Sequence, residues 1–125
     1  MRISTAIVAL LSALCLAGCG RGAGQKPIQG LPEAGSLYSF MDGEGGFRVG
    51  KVVVVDQVVF VELFKERWPA RPKLAEARQA TKPTPVAYSP QTIEGMQPVL
   101  LEKGSVTPAE LDAYEEWKRS NGEVF

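Results

Sequence analysis

Residues that favour strands dominate Phe47 to Val55 and again Val58 to Phe64, on either side of a short Asp56-Gln57 turn. Valine is stiff at χ1 and fits a pleated surface better than a helix, so the two runs predict a hairpin of long strands. In the second run Val59, Val61 and Leu63 share one face, while Val58, Phe60 and Phe64 share the other with Glu62. Both faces are largely apolar, which predicts a hairpin covered on both sides or curled into a barrel. Leu37 to Met41 reads as a first strand, stopped by Asp42-Gly43-Glu44-Gly45-Gly46.

The pattern changes after Phe64. Arg67-Trp68-Pro69-Ala70-Arg71-Pro72 ends the sheet run, because each proline removes a ladder donor. A short helix is predicted from Leu74 to Ala80, broken by Lys82-Pro83-Thr84-Pro85, with another strand at Val86 to Tyr88. A brief helix follows near Gln91 to Met96, limited by Pro98.

The last helix carries the clearest signals. Thr107 is its cap, Pro108 its first residue, and Glu110 completes a capping box. Val106 and Leu111 occupy the positions of a hydrophobic staple. Leu111, Tyr114 and Trp117 form a stripe expected to pack on the sheet, and Asn121-Gly122 ends the helix. Val124-Phe125 is an apolar segment expected to dock. The fold class is α+β: a small antiparallel β-sheet or a small barrel with a packed C-terminal helix.

The N-terminal pattern is of another kind. Met1-Arg2 gives a positive start, Ile3 to Leu16 carries no charge, and Ala17-Gly18 places small side chains before Cys19. That order is the pattern of a secretory signal. As a membrane span, Ile3 to Gly18 falls short of the ~20 apolar residues that ~30 Å of hydrocarbon requires. Leu16-Ala17-Gly18-Cys19 resembles the lipobox of bacterial lipoproteins at all four positions. The resemblance implies a diacylglyceryl group on the Cys19 thiol and cleavage before it, so the membrane is reached through an N-terminal lipid. Gly20 stands where an aspartate would signal inner-membrane retention, so the same resemblance implies the outer membrane, facing the periplasm. The organisation expected is 1–18 signal peptide, 19–35 flexible tether rich in Gly with Pro27 and Pro32, and 36–125 a single domain.

Composition narrows the chemistry. Cleavage leaves 107 residues, enough for one compact core. Cys15 leaves with the signal and Cys19 takes the lipid, so the mature chain has no disulfide and depends on packing. There is no histidine. Without imidazole or free thiol, zinc and copper sites are not expected, and the commonest general base is missing. No cofactor and no catalytic residue are assigned, and the chain reads as a non-enzyme. Without Arg2 the balance is 13 basic against 14 acidic residues, which argues against nucleic acid as a partner. Charge is nonetheless segregated: six basic residues lie between Lys65 and Lys82, and seven acidic ones between Glu94 and the end. Either the two regions face one another or stay solvated separately, or a basic surface meets an acidic partner or anionic headgroups.

Few motifs carry chemistry. Gly45-Gly46-Phe47-Arg48-Val49-Gly50-Lys51 fits part of a P-loop, but Val52 replaces the Ser or Thr and a strand follows where a helix should begin. The glycines are turn residues on this reading. Asp42 and Glu44 lack the spacing of a calcium loop and read as a tight acidic turn. Tyr38 and Phe40 read as core. Trp68 between Arg67 and Arg71 is the candidate partner-binding surface, since Trp and Arg are enriched in hot spots and prolines stiffen the segment. The alternative is that Trp68 plugs the end of a barrel.

Tyr38 to Phe40, Asp42-Gly43 and the hairpin Phe47 to Phe64 resemble the opening of a Tudor or SH3-like small barrel. That resemblance implies a binder with an aromatic-lined groove. The hairpin followed by a Thr-Pro-x-Glu-Leu helix is also similar to small bacterial proteins, some of them immunity-like. The function expected is a lipid-anchored envelope protein that binds a protein partner, as an immunity or inhibitor protein does. The alternative is an accessory of envelope assembly or cell-wall binding.

Overall fold

The computed structural model describes residues 26–125, so the expected signal, Cys19 and the tether as far as residue 25 lie outside the described residues. Strands β1 (Leu37–Met41), β2 (Phe47–Val55), β3 (Val59–Leu63) and β4 (Thr84–Tyr88) run as an antiparallel meander. A fifth strand, β5 (Val99–Glu102), returns to pair antiparallel with β1, giving the order β4-β3-β2-β1-β5. Three helices complete the described fold: α1 (Leu74–Ala77), α2 (Pro90–Gly95) and α3 (Pro108–Arg119).

The α+β class with an antiparallel sheet and a C-terminal helix is what forms. The sheet is open, with β4 and β5 at its edges, so the SH3-like barrel considered from the sequence is not closed here. Its apolar residues are buried by flanking elements instead. Ile93 of α2, with Tyr38, Phe40, Val52, Val59, Val61 and Leu63, makes the core on one face. Val53, Phe60 and Ala87 make the core on the other, beneath Ala113, Tyr114 and Trp117 of α3. Alternation along β3 therefore divides its side chains between two cores, as its pattern predicts.

Along β2 the alternation slips once. Val52 faces Val61, and Val54 faces Phe60, leaving Val53 as an extra residue between them. Such a bulge puts two consecutive side chains on one face. Val53 and Val54 accordingly both pack in the α3 core, while Val52 and Val55 belong to the other.

Helix α3 is fixed at its start from three sides. Thr107 Oγ1 accepts from the Glu110 amide at 3.2 Å, and Glu110 Oε1 accepts from the Thr107 amide at 2.8 Å. The same carboxylate meets Lys51 Nζ of β2 at 3.1 Å. Burial works to raise the Glu110 pKa, but the Thr107 amide and Lys51 outweigh it and hold the carboxyl below its ordinary value. The stripe facing the sheet runs from Glu110 through Ala113, Tyr114 and Trp117, at helical spacing. Leu111, expected on that stripe, lies one position off it and is 45% exposed. Val106 still packs on the core.

Two segments extend the sheet's cover. Phe125 donates its amide to the Ala87 carbonyl at 2.9 Å and accepts from the Ser89 amide at 2.7 Å, so Val124-Phe125 lines part of the β4 edge. Of the expected tether, residues 26–35 are described, and they lie against the sheet. The Ile28 amide reaches the Pro98 carbonyl at 2.8 Å, and the Gly35 amide reaches Val52 at 2.6 Å. Gly35, at φ 92°, faces the Gly104 backbone so closely that a Cβ would collide with it.

Candidate functional site

The segment singled out in the sequence, Arg67 to Arg71, folds as a corner over the start of β2. Trp68 exchanges two backbone hydrogen bonds with Phe47, at 2.8 and 2.9 Å, which pins the corner to the sheet. The residue is half-buried and borders two hollows, one of about 360 Å³ beside Glu66, Glu76 and Gln79 and one of about 210 Å³ beside Glu44 and Gly46. Arg67 is 48% exposed and holds Asp42 at 2.6 Å and Glu44 at 3.5 Å. Arg71 turns the other way. It donates to the Ser39 carbonyl and hydroxyl at 3.1 and 3.0 Å and to the Gln97 carbonyl at 2.8 Å. Its guanidinium also sits 4.9 Å from the centre of the Phe47 ring, and burial pushes its pKa down.

Arg67 and Trp68 thus share one outer surface, while Arg71 supports it from below. Ser39 is fully buried and lies on β1, so Arg71 supplies the donor its hydroxyl needs. The corner's acidic neighbour is equally committed. Asp42 Oδ1 accepts from the amides of Glu44 and Gly46 at 2.8 and 3.0 Å, around Gly43 and Gly45 with φ of 80° and 88°. The Glu44 amide and then the Arg67 guanidinium hold the Asp42 carboxyl down to about 2.

Across the Asp42–Gly46 loop, on the α2 face, lies a cleft of about 320 Å³ that the sequence reading did not find. Met41, Leu63, Tyr88 and Met96 give it apolar walls, and Arg48 and Thr92 give it polar ones. Arg48 sends Nε and Nη2 to the Phe64 carbonyl, at 3.1 and 2.6 Å. No carboxylate among the described residues pairs with it. Burial raises the Tyr88 pKa, with Arg48 opposing, so its hydroxyl is protonated at neutral pH. The one signal for this cleft in β2 was Arg48, a charged side chain on the strand face that also carries Val52 of the core.

Compared with protein-family models, with curated proteins and with solved structures, the chain matches none. Among the described residues no group of three His, Cys, Asp or Glu side chains is placed to hold a metal ion, and no helix is long and apolar enough to cross a membrane. The arrangement offers two kinds of surface: an aromatic corner edged by both signs of charge, and an apolar cleft with one anchored cation.

Proposed function

We propose that this chain is a lipid-anchored protein of the bacterial cell envelope, held at the periplasmic face of the outer membrane by acyl chains on Cys19. Its domain binds a protein partner and carries out no catalysis. The observation that carries the reading is Leu16-Ala17-Gly18-Cys19 after an uncharged run. Each buried CH₂ contributes ~0.8 kcal/mol, so two or three acyl chains hold a small domain where one would exchange. The partner surface is the Arg67-Trp68 corner, an amphipathic aromatic on a proline-stiffened turn that loses little freedom on binding. The Tudor and SH3-like resemblance enters only as a precedent for binding beside aromatic side chains.

Two measurements test this. Growth with a labelled fatty acid should label the wild-type protein and leave Cys19→Ser unlabelled and released from the membrane fraction; label on the mutant overturns the anchor. Capture from detergent extracts of the native host should recover a 1:1 complex that Trp68→Ala loses while its thermal melt persists. A complex unaffected by that change places the partner elsewhere, and sedimentation with isolated cell wall in its place favours the accessory role.

A further inference from the structure

The cleft under α2 is built unlike an ordinary core defect. Voids left in apolar cores are lined by apolar groups alone and stay dry. Here a guanidinium enters the wall and is fixed by two hydrogen bonds to a single carbonyl, that of Phe64. An arginine has five N–H donors, and this anchoring turns the Nε side of the fork toward the backbone. Among the described residues nothing accepts from Nη1 or from the second hydrogen of Nη2, a pair in the spacing that meets both oxygens of a carboxylate. Asp42 also borders the cleft, yet Arg67 and two amides already occupy its oxygens. The Thr92 hydroxyl is shared with Ser89 at 2.9 Å, and the Tyr88 hydroxyl remains a donor. Among the described residues, then, Arg48 has no anionic partner in the cleft.

The size of the cleft limits what that partner is. About 320 Å³ is at the small end of ligand sites, enough for one large side chain or a short aryl or alkyl group. Leu63, Met41 and Met96 supply the contact, and methionine adapts to irregular shapes.

We infer that the cleft binds an apolar group bearing one carboxylate, with Arg48 gripping the anion and Met41, Leu63, Tyr88 and Met96 enclosing the apolar body. The free end of a polypeptide with an apolar last residue and a small organic acid share this chemistry. The site is separate from the Arg67-Trp68 corner, so it stands or falls without the partner reading.

The test is a titration followed by backbone amide NMR shifts on the full chain in detergent micelles. The probes are 4-phenylbutyrate, the matched alcohol 4-phenylbutanol, and one tetrapeptide ending in leucine with a free or amidated end. Millimolar 4-phenylbutyrate or the free-ended peptide should shift Arg48, Leu63, Tyr88 and Thr92. Which of the two binds more tightly identifies the source, and either result supports the assignment. Loss of the charge, in the alcohol or the amide, should weaken binding about tenfold or more, as expected for a charge-assisted bond. Arg48→Gln should do the same while retaining one amide donor for Phe64. Because that variant also alters the fold's own contact, Gly95→Leu is the companion. A Cβ there meets nothing within 4 Å, and because Gly95 lines the cleft the added bulk should narrow it while leaving the Arg48 side chain itself unchanged. Equal affinity for acid and alcohol overturns the proposal, as does binding untouched by both substitutions, or no shift at these residues with any probe.

Discussion

Phe60 and Leu63 stand three residues apart on β3 and project to opposite faces, one into a closed aromatic nest and the other against an open cleft. The difference follows from the covering helices. Twelve residues of α3 span about 18 Å at 1.5 Å per residue, enough to cross nearly four strands spaced ~4.8 Å apart. Six residues of α2 span about 9 Å, half that length. Phe60 consequently meets Tyr114 edge-on at 5.2 Å and Trp117 at 5.7 Å, with those two rings stacked at 5.9 Å. On the far face Ile93 is fully buried, but Thr92 and Gly95 of the same helix border the cleft. A short helix on a wide sheet leaves space, and what lines that space decides whether it is a defect or a site.

The largest effect should come from truncating the closed side. Phe60→Ala removes a ring from a sealed environment and should cost about 3–5 kcal/mol, seen as a lower urea midpoint. Leu63→Ala, nominally also a core truncation, should fall near the low end of its class, about 2 kcal/mol, because Leu63 already borders an open cleft and packs on one side against no atoms. Equal costs would mean that the cleft collapses around Leu63 and that the two faces are alike after all.

A smaller effect tests how each cover is held. Thr107→Ala removes the acceptor for the Glu110 amide and should cost about 1 kcal/mol by urea unfolding. The loss should be read out mainly by Trp117 fluorescence, since α3 roofs the closed side, while amide shifts of Leu63 and Tyr88 stay put. Movement of both sets would show that the two covers act as one unit.

Legibility in the sequence followed the same division. The β1 and β2 ranges, the two-sided β3 and the capping of α3 were readable, because period, β-branching and caps are local signals. β5 was not: Val99-Leu100-Leu101 is three apolar residues between Pro98 and Gly104, and only pairing with β1 makes a strand of them. Leu111 was assigned inward because it is apolar, whereas Glu110 takes that place through its bond to Lys51, a tertiary partner that no local window contains. Of the candidate site, Trp68 was visible as a residue but not its pairing with Phe47, and Arg71 was visible without its buried partner Ser39. The cleft required knowing that Arg48 comes to lie beside Leu63, Tyr88 and α2, which are distant from it in the chain. Cys19 lies outside the described residues, and its reading rests on sequence.

The smallest effect concerns the loop that separates corner from cleft. Asp42 is held at about 2, first by the Glu44 amide and next by Arg67, against an ordinary value of 3.8. Its folded pKa is depressed, so the stabilisation is complete above pH 3.8 and is lost as pH falls through about 2. The ¹³C shift of its carboxyl should titrate near that lower value in the wild type. Arg67→Gln should raise the midpoint part of the way, because the Glu44 amide remains, and should leave the Tyr88 and Arg48 amide shifts unchanged. A wild-type midpoint at 3.8 would show that the loop does not grip Asp42. Displaced cleft shifts in Arg67→Gln would show that Asp42 couples the two surfaces.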